Sequence, residues 1–176
     1  MKIESWQETD PDLIEKSRAR FGDEINNLRS LGFLELCHYT EMLPPFSLAT
    51  FFFGFLLMIA KREIVRVESP LRIAMTQPLM AQSESGTYAL VFGLGVKFYT
   101  LFTDGTGLIS ASFDSQPTQD MQLMLYKYAG KRSIEDCWRA HRNEIESFTQ
   151  AGKEVELQIR FDNYVSLSER ENPQSS

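Results

Sequence analysis

The feature that most constrains this chain is a stretch of nineteen residues without a charge, residues 42–60 (MLPPFSLATFFFGFLLMIA). A helix over residues 44–62 would be roughly 28 Å long at ~1.5 Å per residue, which is close to the ~30 Å hydrocarbon core of a bilayer. A helix that is apolar all round belongs in lipid or in the centre of a large core. A chain of 176 residues builds only a modest core. The stretch therefore predicts a transmembrane helix within residues 42–62.

Charges on the two sides of this stretch predict its orientation. Lys61 and Arg62 follow the apolar residues directly, Arg66 and Arg72 come soon after, and acidic residues dominate the side before it. Because Lys and Arg near a span favour the cytoplasmic side, we expect a single-pass membrane protein with its C-terminal part in the cytoplasm and residues 1–41 across the membrane. The predicted membrane anchor consists of Phe51, Phe52, Phe53, Phe55, Leu56 and Leu57 with the flanking Lys61 and Arg62.

Three other interpretations of the stretch compete with a span. It is too far from Met1, behind a charged region, to be a signal peptide. It is also compatible with an interfacial or re-entrant helix, and with a core helix of a soluble, cytoplasmic α+β domain, since its length is near the lower limit for a span.

Composition narrows the classes of partner. The net charge of −6 argues against nucleic acid as a partner. The two cysteines, Cys37 and Cys137, are too few for a disulfide framework. In the predicted topology they would lie on opposite sides of the membrane and could not pair.

The remaining pattern indicates an α+β fold. Capping residues and apolar spacing predict helices over 10–31 and 133–150, and alternation with turn signals predicts strands over 33–39, 71–80, 87–92, 96–102, 108–113 and 155–165. We expect an antiparallel meander sheet with an N-terminal and a C-terminal packing helix, plus the transmembrane helix. The predicted parts are residues 1–41 (helix and short strand), 42–62 (transmembrane helix), 63–167 (antiparallel α+β domain) and 168–176 (disordered tail).

Three motifs within residues 21–152 resemble an uncharacterised family of bacterial proteins. They are Leu-Gly-Phe at 31–33, Phe-Thr-Asp-Gly-Thr at 102–106, and the helix that carries Trp138, Arg139, His141 and Arg142 before Gly152. The resemblance implies a small α+β domain associated with membrane helices. It implies no activity and no catalytic residue.

Few residues in the chain are candidates for chemistry. On a helix, Cys137 and His141 share a face, but Cys37 and His38 of a strand point to opposite faces, so a four-ligand zinc site is not expected. His141 beside an acidic residue is a candidate general base, and Trp138 lies on the same apolar stripe. Asp104 is a candidate Ca²⁺ ligand, although a hairpin turn explains its Asp-Gly sequence more simply.

These patterns predict no catalytic residue, metal or cofactor. The expected function is that of a membrane-anchored, non-enzymatic protein, which acts through lipid contacts or through contacts with a protein partner or a second copy. The alternative is a soluble α+β domain that binds an apolar small molecule between its sheet and its helices.

Overall fold

A computed structural model describes residues 5–42, 65–69, 72–113, 124–128 and 132–171 of the chain. The elements follow in the order β1 (Ser5–Gln7), α1 (Pro11–Arg20), α2 (Gly22–Ser30), β2 (Leu34–Met42), β3 (Val65–Ser69), β4 (Arg72–Gln82), β5 (Thr87–Phe92), β6 (Gly95–Leu101), β7 (Gly107–Ala111), β8 (Met124–Tyr128), α3 (Ile134–Gln150) and α4 (Phe161–Glu171).

The eight strands form one sheet in the order β1-β2-β4-β5-β6-β7-β8, with β3 paired to β4 beside this path. All neighbours are antiparallel except β7 and β8, which are parallel. The meander β4-β5-β6-β7 confirms the prediction of an α+β fold built on antiparallel hairpins. The stretch around residues 121–128, for which the sequence favours neither helix nor strand, contributes β8.

Helices cover both faces of the sheet. On one face, which we call the α3 face, the cluster around Phe33, Phe98 and Trp138 packs β-strands against α2 and α3. On the other, the α4 face, Tyr39 and Tyr99 contact Tyr164 of α4 with ring centroids 5.2 and 5.4 Å apart. Because alternate residues of a strand point to opposite faces, the central strands contribute to both clusters.

The C-terminal part of the chain shows one confirmed prediction and two departures from the prediction. Ser133 caps α3 by accepting a hydrogen bond from the backbone N–H of Asp136, as the sequence predicts. The strand predicted over 155–165 is wrong, because the structure has no strand in these residues. Val155 forms an isolated bridge to Phe102, and helix α4 begins at Phe161. Ser168–Glu171, predicted as the start of a disordered tail, belongs to α4, and residues 172–176 lie outside the described residues.

The N-terminal elements differ from the prediction in one detail and contain one irregularity. The helix expected over 10–31 is two helices, which meet at Phe21. In β2 the register shifts between Glu35 and Cys37. This bulge turns Glu35 toward the α3 face, where His38 and Thr40 also point, instead of toward the face that Cys37 and Tyr39 share.

The apolar stretch lies almost entirely outside the described residues. Its first residue, Met42, ends β2, and residues 43–64, which include the whole predicted membrane anchor, are not described. Among the ranges that are described, no helix has the length and apolar character needed to cross a bilayer.

The described residues nevertheless fix where this stretch leaves the sheet and where it returns. Met42 pairs with Ala74 of β4 on one side, and Val65 pairs with Met75 on the other. With one strand between them, the two points are roughly 10 Å apart. We call this end of the sheet the exit end. β3 runs outward from Val65 beside β4 as far as the pair Ser69–Arg72, whereas the last pair of β5 with β4 in this direction is Leu90–Leu79.

Candidate functional site

His141 is held in the centre of the protein, between α3 and the sheet. Its Nδ1 lies 2.8 Å from Ser110 Oγ, and its Nε2 lies 3.0 Å from Thr100 Oγ1. Thr100 Oγ1 in turn lies 2.8 Å from Thr87 Oγ1. The ring is fully buried, and burial lowers the pKa of His141 to about 3. The imidazole is therefore neutral at physiological pH and satisfied on both nitrogens.

The contact between His141 and Ser110 has the distance of a base and its nucleophile. A catalytic pair must also be accessible to a substrate, but Ser110 and Thr100 are buried together with the His141 ring. This arrangement suits a buried polar network that fixes α3 on the sheet.

Trp138 packs beside His141 as part of the core. The two rings are stacked 5.9 Å apart, and Phe33 meets the indole edge-on at 5.0 Å. Only 6% of Trp138 is exposed. The side chain therefore contributes apolar burial to the α3 face and has no free surface for a ligand.

Asp104 lies at the exposed tip of the β6–β7 turn. Its Oδ1 accepts hydrogen bonds from the backbone N–H of Thr106 at 2.9 Å and from the Thr106 hydroxyl at 2.6 Å, and its Oδ2 pairs with Lys153. The Lys153 and Thr106 hydrogen bonds hold the pKa of Asp104 well below its ordinary value. Because these partners occupy both oxygens, the residue ties the turn to the segment after α3.

The two cysteines and their neighbouring histidines do not converge. Cys37 packs on the α4 face and Cys137 on the α3 face, so the sheet separates the thiols, and both are free. Burial raises the pKa of each thiol to about 12, which keeps both protonated. Within the described ranges, no three His, Cys, Asp or Glu side chains come together as metal ligands.

A polar cluster beneath α1 was not predicted from the sequence. Glu8 is 8% exposed, and its carboxylate accepts a hydrogen bond from Thr40 at 2.8 Å as well as from the backbone N–H groups of Thr9 and Asp10. Thr40 also lies 3.0 Å from Thr76 on the next strand. The carboxylate therefore fixes the chain before α1 onto β2.

Glu35 forms the charged edge of the same region. Arg18 of α1 donates to its carboxylate at 2.5 and 3.1 Å, and His38 Nδ1 lies 3.7 Å away. Partial burial alone would raise the pKa of Glu35, but the Arg18 hydrogen bond and the neighbouring cations lower it below its ordinary value. Burial lowers the pKa of His38 despite the nearby carboxylate. Its Nε2 is buried and has no hydrogen-bond partner in the described part of the chain.

The sequence carried only a weak signal for this cluster. Glu35, His38 and Thr40 share a face only because of the bulge in β2, and Glu8 precedes the cap of α1 by two residues. A strictly alternating strand places Glu35 opposite His38, and a bulge leaves no mark in the residue pattern.

Among the described residues, two surface depressions stand out, and the first of them borders Glu35. A cleft of about 170 Å³ at the end of the sheet opposite the exit end is lined by Leu34, Leu36, Ala81 and Ile159 with three smaller or polar neighbours. A wider, polar groove of about 350 Å³ runs along the outer face of α3, between Arg132 and Asn143. In this groove Arg139 pairs with Asp136 at 3.0 Å, so charges of both signs meet there.

No family model, curated protein or solved structure matches this chain. The resemblance to the bacterial family therefore stays a prediction. What the protein does has to be inferred from the geometry of its own residues.

Proposed function

We propose that this protein is a non-enzymatic, membrane-associated α+β protein that acts through lipid and protein contacts. The observation that supports the proposal best is where the described chain stops and resumes on the two sides of residues 43–64. An uncharged stretch of nineteen residues lies between β2 and β3, and these strands flank β4 at neighbouring positions. The described residues on the two sides of the most apolar sequence therefore lie at neighbouring positions of one sheet.

The neighbouring positions of Met42 and Val65 also determine the membrane topology that we propose. A helix that crosses a bilayer once leaves its two ends on opposite sides, roughly 30 Å apart. The strands on the two sides of residues 43–64 instead flank the same strand of one sheet. We therefore place residues 5–42 and 65–171 on the same side of the membrane, and residues 43–64 as an insertion that enters from that side and returns to it.

The length of the insertion agrees with such a path. About eleven of the 22 residues between Met42 and Val65 are available for each direction. As helix, eleven residues reach roughly 16 Å, which is about half of the hydrocarbon core. The insertion would therefore occupy one leaflet. The burial of His141 and of its hydroxyl partners supports the non-enzymatic part of the proposal.

A topology experiment tests the proposal. In a Cys37→Ser background, in which the remaining Cys137 is buried, Asn26→Cys and Asn143→Cys introduce matched thiols before and after the insertion. A membrane-impermeant maleimide on sealed cells should label both thiols or neither, and lysis should label both. Labelling of one thiol only in sealed cells would establish a single crossing and contradict the proposed topology.

A carbonate wash of the membranes gives the second readout. The protein should stay in the pellet and be released by detergent, and Leu57→Arg should lower that retention because a charge within lipid is costly. Release of the wild type into the supernatant would overturn membrane insertion.

Release of the wild-type protein by the carbonate wash would favour the alternative function. In that alternative, the α+β domain binds an apolar small molecule between its sheet and its helices. The cleft beside Leu34, Leu36 and Ile159 is the one observation in its favour. Its volume of about 170 Å³ is below the ~300 Å³ at which ligand pockets usually begin, so it would admit only a small apolar molecule.

A further inference from the structure

Strand β1 covers only part of the edge of β2. It pairs with residues 39–41, and the backbone N–H of Glu8 bonds to the carbonyl of His38 at 2.7 Å before the chain turns away into α1. Among the described residues, no strand pairs with β2 on this side along residues 34–37. We call these four residues the open edge. Backbone N–H and C=O groups of such an edge point away from the sheet and can pair with another extended chain.

The apolar cleft lies beside this open edge. Its walls include Leu34 and Leu36 of the edge and Ile159 of the segment before α4. Leu34 is 73% exposed, the largest exposed fraction among the large apolar side chains of the described residues. Leu36 and Ile159 pack against the cluster around Tyr164, so the cleft opens on the α4 face. A strand added along the open edge would place every second side chain on this face.

The other face of the open edge carries two cations for one carboxylate. Glu35 points to the α3 face, where it pairs with Arg18 of α1 at 2.5 Å and with Arg29 of α2 at 3.6 Å. Both arginine side chains are more than half exposed. The nearby carboxylate of Glu8 is buried and bonded to Thr40 and to backbone N–H groups. The exposed rim therefore complements a second, incoming anion.

The bulge in β2 falls within the open edge. Glu35 pairs with Met80 of β4 and Cys37 pairs with Leu79, so Leu36 between them has no partner on β4. Bulges bend a strand and discourage the pairing of two flat edges. A short peptide that adapts to the bend therefore suits this edge better than the straight edge of a second folded copy.

We propose that the open edge binds an extended peptide segment of a partner protein, which adds a short strand in line with β1, with an apolar side chain in the cleft and an acidic side chain beside Arg18 and Arg29. The unpaired backbone groups select an extended chain. Because side chains alternate along a strand, the two faces select apolar and acidic residues at alternate positions. The inference rests on the protein-contact part of the proposed function, and it names the surface and the class of partner.

Fluorescence anisotropy of labelled synthetic peptides with the purified full-length protein in detergent tests the proposal. The peptide Thr-Val-Glu-Val-Glu-Val-Thr should bind. The same peptide with lysine in place of glutamate should bind about fivefold more weakly, because its cations meet those of the rim. The net charge of the protein is −6, which attracts the lysine peptide nonspecifically. Stronger binding of the glutamate peptide would therefore report the local charge of the rim.

Substitutions at the site have matched controls elsewhere. Leu34→Ser should weaken binding of the glutamate peptide about fivefold by removing apolar contact area, whereas Leu94→Ser, 50% exposed at the far end of β5, should bind like the wild type. Arg29→Gln should weaken binding about threefold, as expected for one exposed ion pair. Lys16→Gln removes the same charge without effect, because Lys16 lies two residues before Arg18 and thus on the other side of α1.

Hydrogen exchange distinguishes an added strand from contact by side chains alone. Amides of residues 34–37 should exchange more slowly when the glutamate peptide is bound. Unchanged exchange there, equal binding of the two peptides, or equal affinities of Leu34→Ser and Leu94→Ser would each overturn the proposal. A dimer that protects these amides without peptide would also overturn it, because a second copy would then occupy the open edge.

Peptide binding and membrane insertion can fail separately, because the peptide assay contains no bilayer. Lack of peptide binding by a protein that the carbonate wash retains in the pellet would overturn this inference and leave the membrane proposal standing. Peptide binding by a protein that the wash releases would support the inference and remove only the membrane part of the proposed function.

Discussion

Buried polar side chains are concentrated on the α3 face of the sheet, where hydroxyls pair across neighbouring strands. Thr40 meets Thr76, and Thr87 meets Thr100, which also contacts His141. Each pair satisfies hydrogen-bonding groups that would be costly to bury alone. These pairs could not be predicted from the sequence, because they depend on the register of strands far apart in the chain.

The burial of His141 predicts how stability depends on pH. Its pKa falls from its ordinary value to about 3 on folding, so between about pH 3 and pH 6.5 the unfolded chain binds one more proton than the folded protein. This group therefore makes the folded protein less stable as pH falls through that window. His141→Gln keeps a polar group and removes the titration. The loss in unfolding free energy between pH 7 and pH 5 should be about 2 kcal/mol smaller in the variant than in the wild type.

Urea unfolding at the two pH values measures this difference. Asn143→Gln, on the exposed side of the same helix, is the control and should keep the wild-type pH dependence. An unchanged dependence in His141→Gln would mean that the imidazole is protonated in the folded protein or reaches solvent.

At the level of elements, local signals predicted helices and hairpins well and failed where two patterns overlap. Val155, Leu157, Ile159 and Phe161 alternate as in a strand, while Phe161, Tyr164 and Leu167 recur at three-residue steps as in a helix. Phe161 belongs to both patterns. The helix prevails because Tyr164 and Leu167 fill the α4 face against Tyr39 and Tyr99.

The extended segment before α4 packs against the β4–β5 turn, and Gly86 marks the contact. Gly86 has φ +60°, and a Cβ there would lie 2.5 Å from the backbone oxygen of Glu156. Gly105 has φ +82° in the β6–β7 turn, and a Cβ there would have no other atom within 4 Å. Gly105→Ala should cost about 1 kcal/mol for its backbone conformation alone, and Gly86→Ala about 3 kcal/mol because the segment must also move.

Chemical unfolding of the two alanine variants compares these costs. Equal losses of unfolding free energy would show that the segment yields freely and does not constrain the turn.

The last turn of α4 is held by a buried ion pair. Glu171 Oε1 lies 2.5 Å from Lys97 Nζ, and Tyr99 donates to Oε2 at 2.8 Å. Glu171→Gln should destabilise the protein by about 3 kcal/mol, because it leaves the Lys97 ammonium partly buried without its counterion. Glu169→Gln, at a more exposed position of the same helix, should change stability by less than about 0.5 kcal/mol.

Hydrogen exchange localises the effect of the ion pair. Amides of α4 should exchange faster in Glu171→Gln, whereas those of α3 should keep their protection relative to the global stability. Uniformly faster exchange in both helices would show that Glu171 stabilises the whole fold and not the end of α4 in particular.

At the level of the whole molecule, the arrangement of the sheet could be predicted only in its local part. The hairpins β4-β5-β6-β7 follow from turn signals such as Asp104-Gly105, because consecutive strands pair through short turns. The pairing of β2 with β4 and the parallel pairing of β8 with β7 carry no such signal. The uncharged stretch is conspicuous in the sequence, but its relation to one end of the sheet depends on these long-range pairs.

The pairing of β2 with β4 also sets the order of events during synthesis. β2 ends at Met42 and cannot pair until β4, which ends at Gln82, has left the ribosome. The apolar stretch ends at residue 60, so 22 further residues must be translated first. At typical rates of synthesis this takes about 1–4 s. During that interval the uncharged stretch has already been synthesised, while β2 before it still has no strand to pair with.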